Sequence, residues 1–196
     1  MNTLNNYNSG SLNPNELKKI SFKKIGKKVF ISRNVVIVGA KNISIGSNVR
    51  IDSFSCLIAP KKELKIGSYV HIGAHSYLSA TEGIELKNFS GMGQSVKLYS
   101  VNDDYTGNSL TNPTTGKDFK NVKKGKITIG KHVCIGSNSI ILPNVNIKSG
   151  ASVGSFTLVN QNLNGNYIYF GIPAKPLIKR SKKYILFEKK FLKNEK

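Results

Sequence analysis

From residue 129 to 158 an aliphatic side chain returns at every sixth position: Ile129, Ile135, Ile141, Ile147 and Val153. Four places after each stands a small or β-branched residue, namely Val133, Ser139, Val145, Ala151 and Thr157. Gly130, Gly136 and Gly154 directly follow an aliphatic position. A helical period of 3.6 does not produce a strict six, and plain strand alternation repeats at two. Six is a multiple of two, so each hexad holds a short strand, and the chain turns once per hexad. The same beat runs upstream through Ile45, Ile51 and Leu57, then Ile66, Ile72 and Leu78, then Leu86, Met92 and Leu98. Related phrases announce each block: ISIG at 43, LKIG at 64, IELK at 84 and ITIG at 127.

Three short strands joined by sharp corners make a triangular coil, and coils stack at about 4.8 Å, the spacing of neighbouring strands. The aliphatic residue points into a narrow core, and the residue four later fills space near the next corner. Gly, Asn and Ser tolerate the backbone angles that the corners need. One coil cannot bury its own face, so stability comes from stacking. A flat sheet or a sandwich has no reason to repeat at six. The pattern therefore predicts an all-β fold, a parallel β-solenoid.

The beat stops between Leu98 and Ile127. The interruption, 99–126, is polar and rich in Gly and Asn, with Asp, Tyr and Phe that argue for packing on something; long insertions of this kind are functional or disordered. Residues 1–24 read as a polar lead-in with a short helix near Asn13-Pro14-Asn15. Residues 25–175 carry the solenoid, and 176–196 read as a basic amphipathic helix. In that helix Tyr184, Phe187 and Phe191 follow i, i+3, i+7, with Ile185 and Leu192 beside them. The helix is expected to cap the open end of the solenoid, where strand edges would otherwise be exposed. A second reading sets it on an anionic membrane as a peripheral contact.

Charge adds one consideration. Thirty Lys and Arg against ten Asp and Glu give a net charge of +20, a field that attracts polyanions. No helix-turn-helix, zinc-finger or aromatic RNA-binding signature accompanies it, so no specific nucleic-acid partner is expected. A non-enzymatic polyanion-binding solenoid remains the reading from another class. No run reaches the length of a membrane span, and the N-terminus lacks the layout of a secretory signal. Cys56 and Cys134 are far apart and lack metal-ligand spacing, which predicts reduced packing thiols in a cytoplasm and no metal. His71 and His75 lie four apart with no third histidine nearby, against a zinc site. His132 is expected on an outer face.

The hexads, together with the closing phrase YFGIPAKPLIKR at 169–180, resemble the hexapeptide-repeat acetyltransferases. The likeness spans roughly 25–180 and points to the galactoside and maltose acetyltransferase-like branch and to bacterial surface-polysaccharide sugar acetyltransferases. It implies a left-handed parallel β-helix, an exception to the right-handed crossover rule that the period itself does not reveal. It also implies a homotrimer with acetyl-CoA bound between subunits, and direct acyl transfer without a covalent enzyme intermediate. Matching positions for the pantetheine arm are Ser137 and Ser155. Asn160 and Gln161 stand where the branch has a Thr-Lys pair. Lys175, with Lys179 or Arg180, would meet the phosphates, to which charge-assisted bonds are strong. For the acceptor the matching positions are Ser79 and Asn88, with Tyr105 contributed by the loop.

The branch places a catalytic histidine at the start of the loop, and this chain has none there. Counting coil positions puts Asp103 in its place; anchoring on the preceding Ser-Val puts Asp104. An aspartate of ordinary pKa, about 3.9, is a weak base at neutral pH. Two adjacent acids in a half-buried cleft would raise one of them. His75 is a third candidate base, reaching in from an adjacent coil, and an acceptor amine that is neutral when bound needs no strong base at all. The leading expectation is an O-acetyltransferase of cell-surface polysaccharide, lipopolysaccharide or capsule. The alternative is an N-acetyltransferase of a nucleotide-linked amino sugar. The acceptor is thus a sugar, a nucleotide sugar or a lipid-linked glycan.

Overall fold

A computed structural model of the chain describes residues 10–195; the first nine residues of the predicted lead-in lie outside them. From residue 24 the chain winds through about seven turns of a left-handed parallel β-helix. Strands of two to four residues stack into three faces. The first face runs in the order Lys24–Ile25, Ile43–Ile45, Leu64–Ile66, Ile84–Leu86, Ile127–Ile129, Asn146–Ile147. The second runs from Val29–Ile31 through Val49–Ile51, His71–Ile72, Gly91–Met92, Cys134–Ile135 and Ser152–Val153 to Tyr167–Phe170. The third is Val36–Val38, Cys56–Ile58, Tyr77–Ser79, Lys97–Tyr99, Ile140–Ile141 and Leu158–Val159.

Each hexad position has one physical job. The repeating aliphatic residues, among them Ile45, Ile66, Leu86, Ile129 and Ile147 on the first face, are almost wholly buried. The residues four later are buried as well: Val133, Ser139, Val145, Ala151 and Thr157. Ser55, Ser76 and Ser139 turn their hydroxyls to a carbonyl of the next coil, at Gly73, Gly93 and Gly154, so these polar groups cost little inside the core. One buried hydroxyl, Ser90 Oγ, has no partner among the described residues.

The N-terminal end of the core is closed by α1, Pro14–Lys19. Asn13 caps it, its side chain accepting from the amides of Asn15 and Glu16 at 3.0 Å, while Glu16 accepts from the Asn13 amide at 2.7 Å. Leu17 packs into the core cluster, and Glu16 pairs with Arg33. At the other end the strand Lys175–Lys179 folds back antiparallel on Tyr167–Phe170, with Tyr169 and Ala174 buried.

That hairpin takes the edge which the C-terminal helix was expected to cover. The helix, α2 at Lys183–Asn194, lies instead along the corner between the first and second faces. Tyr184 bonds Asn166 at 2.7 Å, Glu188 meets Lys131 and His132, and Phe191 stands edge-on to Tyr69 and Phe89. The capping idea fails because the strand edge already has a partner within the chain. His132, expected on an open outer face, is covered by this helix, its side chain only 13% exposed. The two cysteines, expected as packing residues, lie on outward rows: Cys134 is exposed and Cys56 half-buried, and both are free. No helix among the described residues is long and apolar enough to cross a membrane.

Between Tyr99 and Ile127 the loop leaves the third corner while the ladders run on past it: Leu86 pairs with Ile129 and Leu98 with Ile141. Its neck is a short antiparallel pair, Val101–Asn102 with Lys123–Lys124.

Candidate active site

The first and second corners differ in how their backbone amides are satisfied. At the first corner the amides of Lys27 and Ser47 donate to Ser47 Oγ and Ser68 Oγ of the following coil, both at 3.0 Å. Those of Ser68 and Lys131 donate to Asn88 Oδ1 at 2.9 Å and Ser149 Oγ at 3.1 Å. At the second corner the amides of Ala74, Gln94, Ser137 and Ser155 donate to no group among the described residues. They form a column of free N–H groups on an edge kept thin by glycine. A Cβ at Gly136 would stand 2.4 Å from Ser155 N, so no larger residue fits there without a backbone shift. An extended arm carrying amides and carbonyls suits such a column, and Ser137 and Ser155, the positions expected for a pantetheine arm, both lie on it. His75 stands on the same edge, exposed and stacked on Phe54 with ring centroids 5.1 Å apart.

The other predicted donor contacts divide. Lys175 and Lys179 are exposed on the terminal hairpin and free to meet phosphates. Asn160 and Gln161 lie at the third corner, where Gln161 Nε2 donates to the Ala174 carbonyl at 3.4 Å. Arg180 is occupied: its guanidinium donates to the carbonyls of His132, Gly150 and Ala151 and lies 4.9 Å over the Tyr184 ring. It holds the first corner to α2 through Nη1, while Nη2 and Nε donate to no group among the described residues.

At the loop neck the two aspartates separate clearly. Asp104 is buried, and its carboxylate accepts from the Thr106 amide at 3.0 Å, from Thr106 Oγ1 at 2.8 Å and from Ser109 Oγ at 3.2 Å. The Thr106 amide first, then the two hydroxyls, hold its pKa below the ordinary carboxylate value. The expectation that adjacent acids raise one pKa is reversed at Asp104, because every donor around it favours the charged form. Asp103 is half-buried, and its carboxylate accepts no hydrogen bond among the described residues. Tyr105 reaches out at the mouth with its hydroxyl on Asn102 Oδ1 at 2.9 Å. Ser79 lies beneath the neck, its carbonyl taking the Ser100 hydroxyl at 2.7 Å and its own hydroxyl unengaged. Asn88 is elsewhere, at the first corner, spent on the Ser68 amide. Asp103 and Tyr105 thus follow the neck strand, whose preceding residue Ser100 bonds Ser79, while His75, Ser137 and Ser155 lie apart at the second corner.

No residue type announces which backbone amides stay free. Sequence reasoning passed over the Asp-x-Thr spacing of 104 to 106, the ordinary signature of an Asx turn that occupies its carboxylate. Among the described residues no cluster of three or more His, Cys, Asp or Glu groups is placed to hold a metal.

A left-handed β-helix with an open amide column on one edge and a loop carrying an uncommitted acid on another defines an acyltransferase that uses an acyl-CoA donor. The chain belongs to the hexapeptide-repeat acyltransferases. It is 37% identical over 176 residues to a dTDP-4-amino-4,6-dideoxy-D-glucose acyltransferase of Escherichia coli, covering 90% of this chain and 92% of that one. AntD, an N-acyltransferase from Bacillus cereus, superimposes with TM-score 0.92 and 41% identity over 95% of this chain and 99% of its own. That form, substituted at one serine, holds dTDP-4-amino-4,6-dideoxyglucose and coenzyme A. A second AntD complex, with dTDP and 3-hydroxybutyryl-CoA, gives a TM-score of 0.93 at 41% identity over 95% and 98% of the two chains. A maltose O-acetyltransferase from Clostridium difficile shares the fold alone, at TM-score 0.57 and 17% identity over 86% and 74%. No protein-family model matches the chain.

Proposed function

We propose that this enzyme transfers an acetyl group, or a short acyl group like it, to the amine of a nucleotide-linked 4-amino-4,6-dideoxy sugar. The observation that carries the reading is the uncommitted carboxylate of Asp103 at the loop neck, in a site whose loop has no histidine. An ammonium pairs with such a carboxylate directly, whereas a sugar hydroxyl would need a stronger base to attack. The likeness to two amino-sugar acyltransferases supports the same choice, and the O-acetyl reading gives way to it.

In this mechanism the ammonium docks on Asp103 and gives up a proton there. The freed lone pair attacks the thioester carbonyl carbon, a C–N bond forms and the carbonyl oxygen becomes an oxyanion. A free amide of the second corner is the candidate donor to that oxygen. Collapse breaks the C–S bond, and the second amine proton ends on the departing thiolate. Lys175 and Lys179 serve the phosphates of the donor. In one chain the acceptor group at the third corner and the donor edge at the second corner sit at opposite ends of the third face. The site is therefore read as completed by a neighbouring copy in a homotrimer, whose second corner meets this chain's loop.

The test is product analysis with purified protein, acetyl-CoA and dTDP-4-amino-4,6-dideoxyglucose, against maltose as a hydroxyl-only acceptor. Amide product from the first with no ester from the second is expected; ester without amide would overturn the reading. Asp103→Asn is expected to lower kcat by about 100-fold or more. Asp104→Asn should act mainly on KM by loosening the loop.

A further inference from the structure

Where the third face meets the loop neck, its outward row is apolar. Ile58, Ser79 and Tyr99 are direct partners across three successive coils, and Leu142 follows in the next. Tyr77 packs on Tyr99 from the diagonal position, ring centroids 5.7 Å apart at 43°. Tyr105 rises beside them from the loop. Neither the Tyr77 nor the Tyr99 hydroxyl has a hydrogen-bond partner among the described residues, and burial pushes the Tyr99 pKa up. In this half-buried patch the one small polar side chain is Ser79, and Asp103 stands four residues past Tyr99 on the loop neck. The patch is thus an apolar wall interrupted by one small hydroxyl, with the loop acid beyond Tyr99, and nothing in the solenoid core requires tyrosine at outward positions.

Resting on the amino-sugar reading, we propose that this wall receives the deoxygenated edge of the sugar, its C6 methyl, and that Tyr99 is the specificity-determining residue. With the amine held on Asp103, the methyl lies on the rings of Tyr99 and Tyr77. A hydroxyl in place of that methyl hydrogen would be desolvated against ring carbons with no partner, a penalty that discriminates by roughly ten- to a hundredfold. The phenol oxygen plays no part, so Phe serves at 99 as well as Tyr.

The experiment compares dTDP-4-amino-4,6-dideoxyglucose with its 6-hydroxy counterpart as acceptors for wild type, Tyr99→Phe and Tyr99→Ser. Wild type and Tyr99→Phe are expected to prefer the 6-deoxy sugar at least tenfold in kcat/KM, chiefly through KM. Tyr99→Ser should narrow that ratio to below about threefold; should it not fold, Tyr77→Ser is the substitute, with a partial narrowing. Equal use of both sugars by wild type, or full preference surviving in Tyr99→Ser, would overturn the wall and leave the amino-sugar reading standing. Turnover of neither sugar would overturn both.

Discussion

At the first corner, hydroxyl and amide side chains of the following coil close the exposed backbone amides, and rings stack above them; at the second corner the equivalent amides stay open. Tyr69, Phe89 and His132 occupy left-handed backbone, φ 59°, 59° and 60°, at the same place in successive coils. Such angles are costly for bulky residues, but here they aim the rings into a ladder, 4.6 Å and then 5.1 Å between centroids. α2 lies on that ladder, and Glu188 ties down both Lys131 and His132. The second corner uses the same left-handed turn with His75, Ser95 and Asn138, yet acquires no such cover from α2. One repeat thus builds two edges: one spent on holding the molecule together, the other left able to bind.

The largest effect is expected from crowding the open edge. Gly136→Val would force a side chain against Ser155 N and the Gly154 carbonyl carbon, at 2.4 and 2.7 Å from its Cβ. A loss of about 3 kcal/mol or more follows, read as a fall in Tm of roughly 6–12 °C. An unchanged Tm would mean that the coils are not this closely stacked.

Removing the cover from the closed edge comes next. Glu188→Gln weakens two bonds at once and should cost about 1–3 kcal/mol. The same contact responds to acid. Burial pushes the Glu188 pKa up, but the Lys131 and His132 bonds outweigh it and leave the carboxyl below the ordinary glutamate value. Its folded pKa is therefore depressed, so its contribution is complete above about pH 4.5 and is lost as pH falls through the lower folded value. Hydrogen exchange in α2 should quicken in that window ahead of the coils; simultaneous loosening of both would break the distinction between edge and core.

The smallest change is a gain. Ser90 replaces the Val seen at 49, 70 and 133 in the same buried row, and its hydroxyl is unpaired. Ser90→Val should raise stability by about 1–2 kcal/mol, measurable by urea unfolding. A loss would show that the hydroxyl has a partner after all.

Much of the fold was legible from residue spacing, since a hexad period forces strands and corners, and the silence between Leu98 and Ile127 locates the loop. The aromatic ladder was not read from it, although Tyr69, Phe89 and His132 each stand three places after Ile66, Leu86 and Ile129. The path of α2 was not legible, because an amphipathic stripe says that a helix needs a surface without saying which one. The difference between Asp103 and Asp104 depends on what the neighbouring hydroxyls do, and only the turn at Thr106 shows that Asp104 is the occupied one. The open amides were least legible. Ser137 and Ser155 carry the same hydroxyl that closes the first corner at Ser47 and Ser68, and yet close nothing at the second. Residue type sets the capacity for a bond, and the packed corner sets whether it is made.

The most direct test of that contrast is amide hydrogen exchange with and without coenzyme A. Slowed exchange at Gln94, Ser137 and Ser155, with Lys27, Ser47 and Ser68 unaffected, is the predicted result. Protection confined to the first corner, or none at either, would contradict an acyl donor held on the open edge.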